Sequence, residues 1–114
     1  MIDNKLDIIL RDILVHLYNP DYSPPPIIYE LTDCSPRDGV LAVQSVIFRL
    51  IEAMKPTEDE SKNTHKQLIY NLLFNRYIKR QTLEETSELL HMSLSSTRRL
   101  QKVAIHALAF RLWE

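Results

Sequence analysis

The sequence predicts an all-α fold, a compact bundle of about five or six helices that ends in a helix-turn-helix. Three observations support this: glycine occurs once in 114 residues, apolar residues recur at intervals of three and four, and helix-capping patterns repeat along the chain. The alternating apolar pattern of half-buried strands is almost absent. Because 45% of the residues are hydrophobic, a chain of this length can bury one core.

The first predicted helix is amphipathic. Asp3 and Asp7 favour a helix start, because carboxylates interact well with the positive end of the helix dipole. Its apolar stripe consists of Leu6, Ile9, Leu10, Ile13, Leu14 and Leu17. The segment that follows, Tyr18 to Pro26, contains four prolines, which remove backbone donors and force extended geometry on their predecessors. We expect a stiff, packed connector here, with a peptide-recognition motif as the alternative.

A second helix is predicted from Ser35 to about Met54. Ser35 can cap it, Pro36 suits its first turn, and Asp38 can complete a capping box. Pro56 prevents its continuation. Apolar residues cover much of its circumference, which predicts burial on more than one side and a central place in the N-terminal half. These residues are Val40, Leu41, Val43, Val46, Ile47, Phe48, Leu50 and Ile51.

The chain divides into two halves of opposite charge at the polar run from Pro56 to Asn63. Residues 1–60 contain 5 Lys/Arg and 11 Asp/Glu, a net charge of −6, whereas residues 61–114 contain 9 and 4, a net charge of +5. Such asymmetry favours an anionic partner for the second half. We predict an N-terminal helical half, 1–56, for packing, oligomerisation or regulation, and a helix-turn-helix half, 57–114.

We expect the two halves to form one cooperative unit. The sequence ends at Trp113 and Glu114 inside an apolar helical pattern, which is typical of the N-terminal domain of a longer protein. The single cysteine, Cys34, excludes an intrachain disulfide and favours a reducing, cytoplasmic setting. No apolar run approaches the roughly 20 residues that cross a bilayer, so we expect no membrane partner.

The sequence of the second half predicts three helices. A long helix spans about Ser61 to Lys79. The next begins at Thr82, whose hydroxyl can cap it while Glu85 completes a capping box. After a turn at His91 to Ser93, Ser93 caps the final helix. Two helices joined by so short a turn form the unit that places its second helix in the major groove of DNA.

The segment from Leu72 to Leu108 resembles region four of bacterial sigma factors and the helix-turn-helix domains of response regulators. The resemblance covers about a third of the chain. It implies a transcriptional regulator with a recognition helix at about 94–112, double-stranded DNA as partner, and RNA polymerase or another protein as a further partner. The matching positions are Arg76-Tyr77, Thr82-Leu83-Glu84-Glu85, Leu89-Leu90, Met92-Ser93, Ala104 and Leu108.

Several positions depart from that family pattern and indicate a divergent member. Arg80 and His91 stand where glycines are usual, Asn75 replaces a leucine, Thr86 and Thr97 replace aliphatic core residues, and Val103 replaces an arginine. A left-handed backbone is more accessible to His than to most residues, so the turn at His91 can form.

The outward face of the final helix is the predicted DNA-binding surface. The predicted inward stripe consists of Thr97, Leu100, Ala104, Ala107 and Leu108. The residues left outside are Ser95, Ser96, Arg98, Arg99 and Lys102. Arginine can read guanine edges or hold phosphates, and serine can do either. We expect Arg98 and Arg99 to contact bases or phosphates, and Lys102, Lys79 and Arg80 to hold the backbone. The alternative is a solvated face.

A second apolar stripe in the same helix needs a partner. It contains Val103, Phe110, Leu112 and Trp113. We predict that it packs onto the N-terminal half, with a homodimer interface as the alternative.

The sequence favours a protein without enzymatic activity. Its four histidines are scattered, and it has no HExxH, CxxC, phosphate loop or GxSxG motif, so we expect no catalytic residue, metal or cofactor. The rival function is a protein-interaction module on a helix-turn-helix scaffold. The two differ in whether Arg98, Arg99 and Lys102 form an exposed basic surface or are neutralised by the acidic half.

Overall fold

A computed structural model describes residues 4–60 and 64–113. Those ranges contain α-helices and no strand, as the sequence predicts. The helices are α1 (Asn4–His16), α2 (Pro26–Thr32), α3 (Gly39–Ala53), α4 (Thr64–Leu73), α5 (Leu83–Leu89) and α6 (Leu94–Trp113). The six helices agree with the expected number. Asp3 and Ser61, named above as helix starts, lie outside the described residues. None of the described helices has the length and apolar character to cross a bilayer.

The apolar stripe of α1 faces the core as predicted. Leu10, Ile13 and Leu17 are fully buried, and Ile9 is half-buried against the same cluster. The connector after α1 is ordered by backbone hydrogen bonds from Asn19 to His16 (3.0 Å) and from Tyr22 to Asn19 (3.1 Å). Pro24 is buried and Tyr22 packs against the core, so the proline segment before α2 is a packed loop.

Helix α2 is absent from the sequence-based prediction. It begins at Pro26, whose fixed φ and missing N–H suit the first helical position, and it ends where Asp33 adopts a left-handed φ of 56°. Seven residues are too few to display helical periodicity, and the three preceding prolines are typical of a loop. Ile28 of this helix is fully buried, so α2 contributes directly to the core.

The predicted cap at Ser35 is present, but it caps a short 3-10 turn, Pro36–Asp38, that leads into α3. The Arg37 N–H donates to Ser35 Oγ (3.3 Å), and the Ser35 N–H donates to Asp38 Oδ2 (3.3 Å). Only one face of α3 is fully buried, formed by Val40, Val43, Ile47 and Ile51. Leu41 is 61% exposed, so the predicted burial on more than one side is wrong for Leu41, whereas Phe48 and Leu50 are partly buried against the core.

One continuous core joins both halves of the chain. Its buried members come from α1, α2, α3, α4 and α6, and α6 packs against α1, α3 and α4. The largest fully buried side chains include Leu10 of α1, Ile47 of α3, Leu72 of α4 and Leu108 of α6. Helix α6 thus links the basic half to the acidic half, and α4 of the basic half also contacts α3 of the acidic half.

The predicted packing of the second apolar stripe of α6 onto the N-terminal half is wrong for three of its four residues, which stay about half-exposed. Val103 is 45% exposed, Phe110 52% and Trp113 51%. Leu112 alone among the four is buried. The reason is geometric: successive helical residues lie 100° apart, so Leu112 points into the core while Phe110 and Trp113 point away from it.

Candidate nucleic-acid interface

Helix α5 begins with the capping box that the sequence predicts at Thr82. The Glu85 N–H donates to Thr82 Oγ1 (3.1 Å), and the Thr82 N–H donates to Glu85 Oε1 (3.0 Å). Hydrogen bonds from the backbone and side chain of Thr82 hold the pKa of the Glu85 carboxyl below its ordinary value. The start of this short helix is therefore fixed by two mutually supporting contacts.

A four-residue connection, 90–93, joins α5 to α6. His91 has a left-handed φ of 55°, as expected from its place at a usual glycine position. The Met92 N–H donates to the Ser87 carbonyl (3.0 Å), which ends α5. Ser93 Oγ then accepts the Ser96 N–H (3.1 Å), as predicted for the cap of α6.

Two threonines at aliphatic core positions fix the interior of this helix pair. Thr86 and Thr97 are fully buried. Their hydroxyls donate to the carbonyls of Thr82 (2.9 Å) and Ser93 (2.8 Å), four residues earlier in each case. Each hydroxyl is thus satisfied inside its own helix, which is why a polar residue can occupy the core there.

The predicted contact residues of α6 lie on its outer surface. Ser95, Arg98, Arg99 and Lys102 are exposed. Ser96 is half-buried, and its hydroxyl accepts from Ser93 Oγ (2.9 Å) and from Arg99 Nη2 (3.4 Å). Over residues 4–60 and 64–113, no carboxylate forms an ion pair with the three cations. None of the three therefore forms an ion pair with the acidic half within the described chain, although Lys102 and Asp7 of α1 line the same cleft.

Lys79 and Arg80 follow a π-helical turn, Phe74–Ile78, that extends α4. Both are exposed, with Lys79 Nζ 5.7 Å from the centroid of the Phe74 ring. Arg80 has a left-handed φ of 60°, which explains structurally why glycine suits this position. Its guanidinium lies 4.0 Å above the ring of Tyr18.

Arg76 connects the segment containing Lys79 and Arg80 to α6. Its Nε donates to Gln101 Oε1 (2.9 Å), and its Nη1 donates to the Gln81 carbonyl (2.8 Å). Gln81 follows Arg80 and Gln101 precedes Lys102, so one guanidinium holds the two groups of predicted phosphate contacts near each other. Arg76 also lies 5.2 Å from the ring centroid of Tyr77.

Two contacts between the halves have no sequence signal. The Tyr18 hydroxyl donates to the carbonyls of Tyr77 (2.8 Å) and Ile78 (3.1 Å), about 60 positions away in the chain. Burial raises the pKa of Tyr18, opposed by the charge of Arg80. In α1, Asp7 Oδ2 lies 2.9 Å from Nδ1 of His106 in α6. Neither pair belongs to a motif or a spacing that predicts it.

Comparison with known proteins adds no relative. No protein-family model, no curated protein and no solved structure matches this chain. The basis for assigning a function is therefore the chain's own residues.

Proposed function

We propose that this protein is a DNA-binding transcriptional regulator in which α5 and α6 act as a helix-turn-helix and α6 is the recognition helix. The observation that carries this proposal is the exposed basic surface formed by Arg98, Arg99 and Lys102 near the start of α6. These cations have no carboxylate partner in the described chain, and they lie on an element of the width that the major groove admits.

The roles of the cations follow from their chemistry. Arg98 and Arg99 can present paired N–H donors to O6 and N7 of guanine or to a phosphate. Lys102, Lys79 and Arg80 act as phosphate contacts that fix the position of α6 on the duplex. Ser95 is exposed and can donate to a phosphate or a base, whereas the Ser96 hydroxyl is engaged with Ser93 and supports the cap.

The charge distribution orients the molecule on DNA. The first 60 residues carry a net charge of −6 and residues 61–114 carry +5. The acidic half is repelled by phosphates while the basic half is attracted, so electrostatic steering favours approach with α6 towards the duplex. Catalysis has no part in this proposal.

The test is the salt dependence of binding to a random-sequence duplex, followed by fluorescence anisotropy. Removing one phosphate contact makes the slope of log affinity against log salt shallower by roughly 0.9. The triple variant Arg98→Ala, Arg99→Ala, Lys102→Ala should therefore bind more weakly and with a shallower slope. The matched control removes three exposed cations from the acidic half: Lys5→Ala, Arg37→Ala, Arg49→Ala.

The two variants distinguish a local contact from net charge. An equal weakening in both would mean that only net charge matters, and an unchanged affinity and slope in the first variant would refute the assignment of this surface.

A second function, a protein-interaction module, is favoured by the exposed apolar residues Val103, Phe110 and Trp113. It would replace the first if the parent protein fails to bind duplex DNA even at about 50 mM salt, where phosphate contacts are strong.

A further inference from the structure

The C-terminal part of α6 carries an apolar stripe in which Val103, Phe110 and Trp113 are about half-exposed and Ala107 is partly buried against the core. Val103, Ala107, Phe110 and Trp113 recur at intervals of four, three and three residues, so they share one face of the helix. Phe and Trp side chains that are half-exposed leave about 100 Å² each in contact with water. Exposed aromatic residues grouped in this way mark an interaction site.

A cleft of about 370 Å³ lies directly beside this stripe. Its apolar walls are Ala53, Met54, Ile69, Ala107 and Phe110. The cleft and the protruding Phe110 ring therefore stand next to each other on the same surface. Under a two-fold axis, the ring of each copy can enter the cleft of the other, which is the self-complementarity that a symmetric dimer requires.

We infer that this surface binds a second copy of the chain, with the two α6 helices antiparallel and crossing near residue 108. In that register Phe110 opposes Ala107 of the second copy, and Trp113 opposes Val103. Each contact sets a large side chain against a smaller one, so the helices can approach closely. The cleft is also lined by Lys55 and Arg111, against which an incoming aromatic ring can pack, and by Lys66, whose ammonium is paired with Glu60.

The same pairing arranges the basic surfaces of the two copies. At 1.5 Å per residue, Arg98 lies about 15 Å from the crossing point, so the two Arg98 residues are about 30 Å apart, close to the roughly 34 Å between half-sites on one face of DNA. At 100° per residue, the mean direction of Ser95, Arg98, Arg99 and Lys102 lies about 75° from that of the apolar stripe. A two-fold axis perpendicular to the helix pair then turns both basic surfaces to the same side.

The dimer contact and its use on DNA can be tested separately. This use rests on the proposed function, whereas the contact does not. A helix stripe with one cleft covers less than the roughly 800 Å² per copy of a stable complex, so we expect a weak, concentration-dependent dimer. Sedimentation equilibrium without DNA, up to about 1 mM protein, should show it.

The variants Phe110→Glu and Trp113→Glu should abolish this dimer. The matched control is Leu41→Glu, a large apolar residue exposed on α3, which should dimerise normally. All three positions are exposed, so far-ultraviolet circular dichroism should show unchanged folding. A monomer at every concentration, or a dimer unaffected by Phe110→Glu, would overturn the inference. A dimer of the parent protein that ignores DNA would support the contact and refute the proposed function.

Spin labels distinguish the antiparallel pair from other dimers. With Cys34→Ser as background, a label on Arg98→Cys should report a distance between copies of about 30 Å, allowing for the label arm. A parallel pair would bring the labels to about 10 Å, the separation of packed helix axes, and would overturn the proposed register.

Discussion

Tyr18 of the acidic half lies beneath Arg80 of the basic half, with Arg80 Cζ 4.0 Å from the centre of the Tyr18 ring. The Tyr18 hydroxyl donates to the carbonyls of Tyr77 and Ile78 at the end of the π-helical turn. The last carbonyls of a helix have no N–H donor within the helix itself. One side chain thus satisfies a helix end and supports the left-handed arginine that follows it.

Removal of this hydroxyl should destabilise the protein. Tyr18→Phe keeps the ring under Arg80 but leaves the two carbonyls without that donor, so the free energy of unfolding should fall by about 0.5–1.5 kcal/mol. Urea denaturation measures it. Tyr29→Phe removes the hydroxyl of a half-buried tyrosine and should have a smaller effect. If the two variants have the same midpoint, the hydroxyl contributes nothing through these contacts.

Replacing a left-handed non-glycine residue, such as Arg80 or His91, with glycine should raise the stability of the protein. A left-handed backbone costs a non-glycine residue about 1–2 kcal/mol. Glycine avoids this strain but loses more chain entropy on folding, so the net gain is only part of that amount. His91→Gly should therefore raise the midpoint of urea denaturation slightly, and His91→Ala should lower it. The opposite order would show that the His91 side chain makes a stabilising contact. Arg80→Gly is less informative because it also removes the contact with Tyr18.

The local features of the fold can be predicted from sequence because their causes are local. Contacts between residues at most four positions apart determine the helix caps and the left-handed turn. The caps are at Ser35, Thr82 and Ser93, and the turn is at His91. Helix α2 escapes prediction because seven residues show no period. The exposure of Phe110 and Trp113 also escapes it: an apolar pattern indicates a face that favours burial, but it does not say what covers that face.

The contacts that assemble the candidate site are beyond sequence reasoning. The sequence identifies Arg76 only as half of an Arg-aromatic pair, although it bridges Gln101 and the Gln81 carbonyl. Tyr18 has the sequence setting of a loop residue, although its ring lies against Arg80. Both roles depend on the packing of α1 and α4 against α6, which no spacing along the chain encodes.

The bond between Arg76 and Gln101 should appear as a coupling energy. In a double-mutant cycle with Arg76→Met and Gln101→Met, the two decreases in the free energy of unfolding should fail to add by about 0.5–3 kcal/mol. Arg76→Lys should rescue little, because a lysine cannot direct two N–H groups to Gln101 and the Gln81 carbonyl at once. Additive decreases would show that the pair does not stabilise α6.

The capping carboxylate should make stability depend on acid pH. The folded protein lowers the pKa of Glu85 from 4.5, so its contribution is present above about pH 4.5 and disappears as the pH falls through the folded pKa. The difference in unfolding free energy between the parent and Glu85→Gln should be constant at neutral pH and shrink in acid. Glu88→Gln, an exposed carboxylate of the same helix, controls for net charge. An equal pH dependence in both variants would contradict a specific role for Glu85.

The shared core predicts that the two halves unfold together. Trp113 is the single tryptophan and lies in α6, so its fluorescence reports on the basic half, whereas circular dichroism reports on the whole chain. Leu10→Ala in α1 removes a fully buried side chain and should cost about 2–5 kcal/mol. Because Leu10 belongs to the same core as Leu108, the Trp113 transition should move by the same amount as the circular dichroism transition. Val15→Ala, at a position 67% exposed on α1, should move neither by more than about 0.5 kcal/mol. If Leu10→Ala leaves the fluorescence transition in place, the halves are independent and α6 does not couple them.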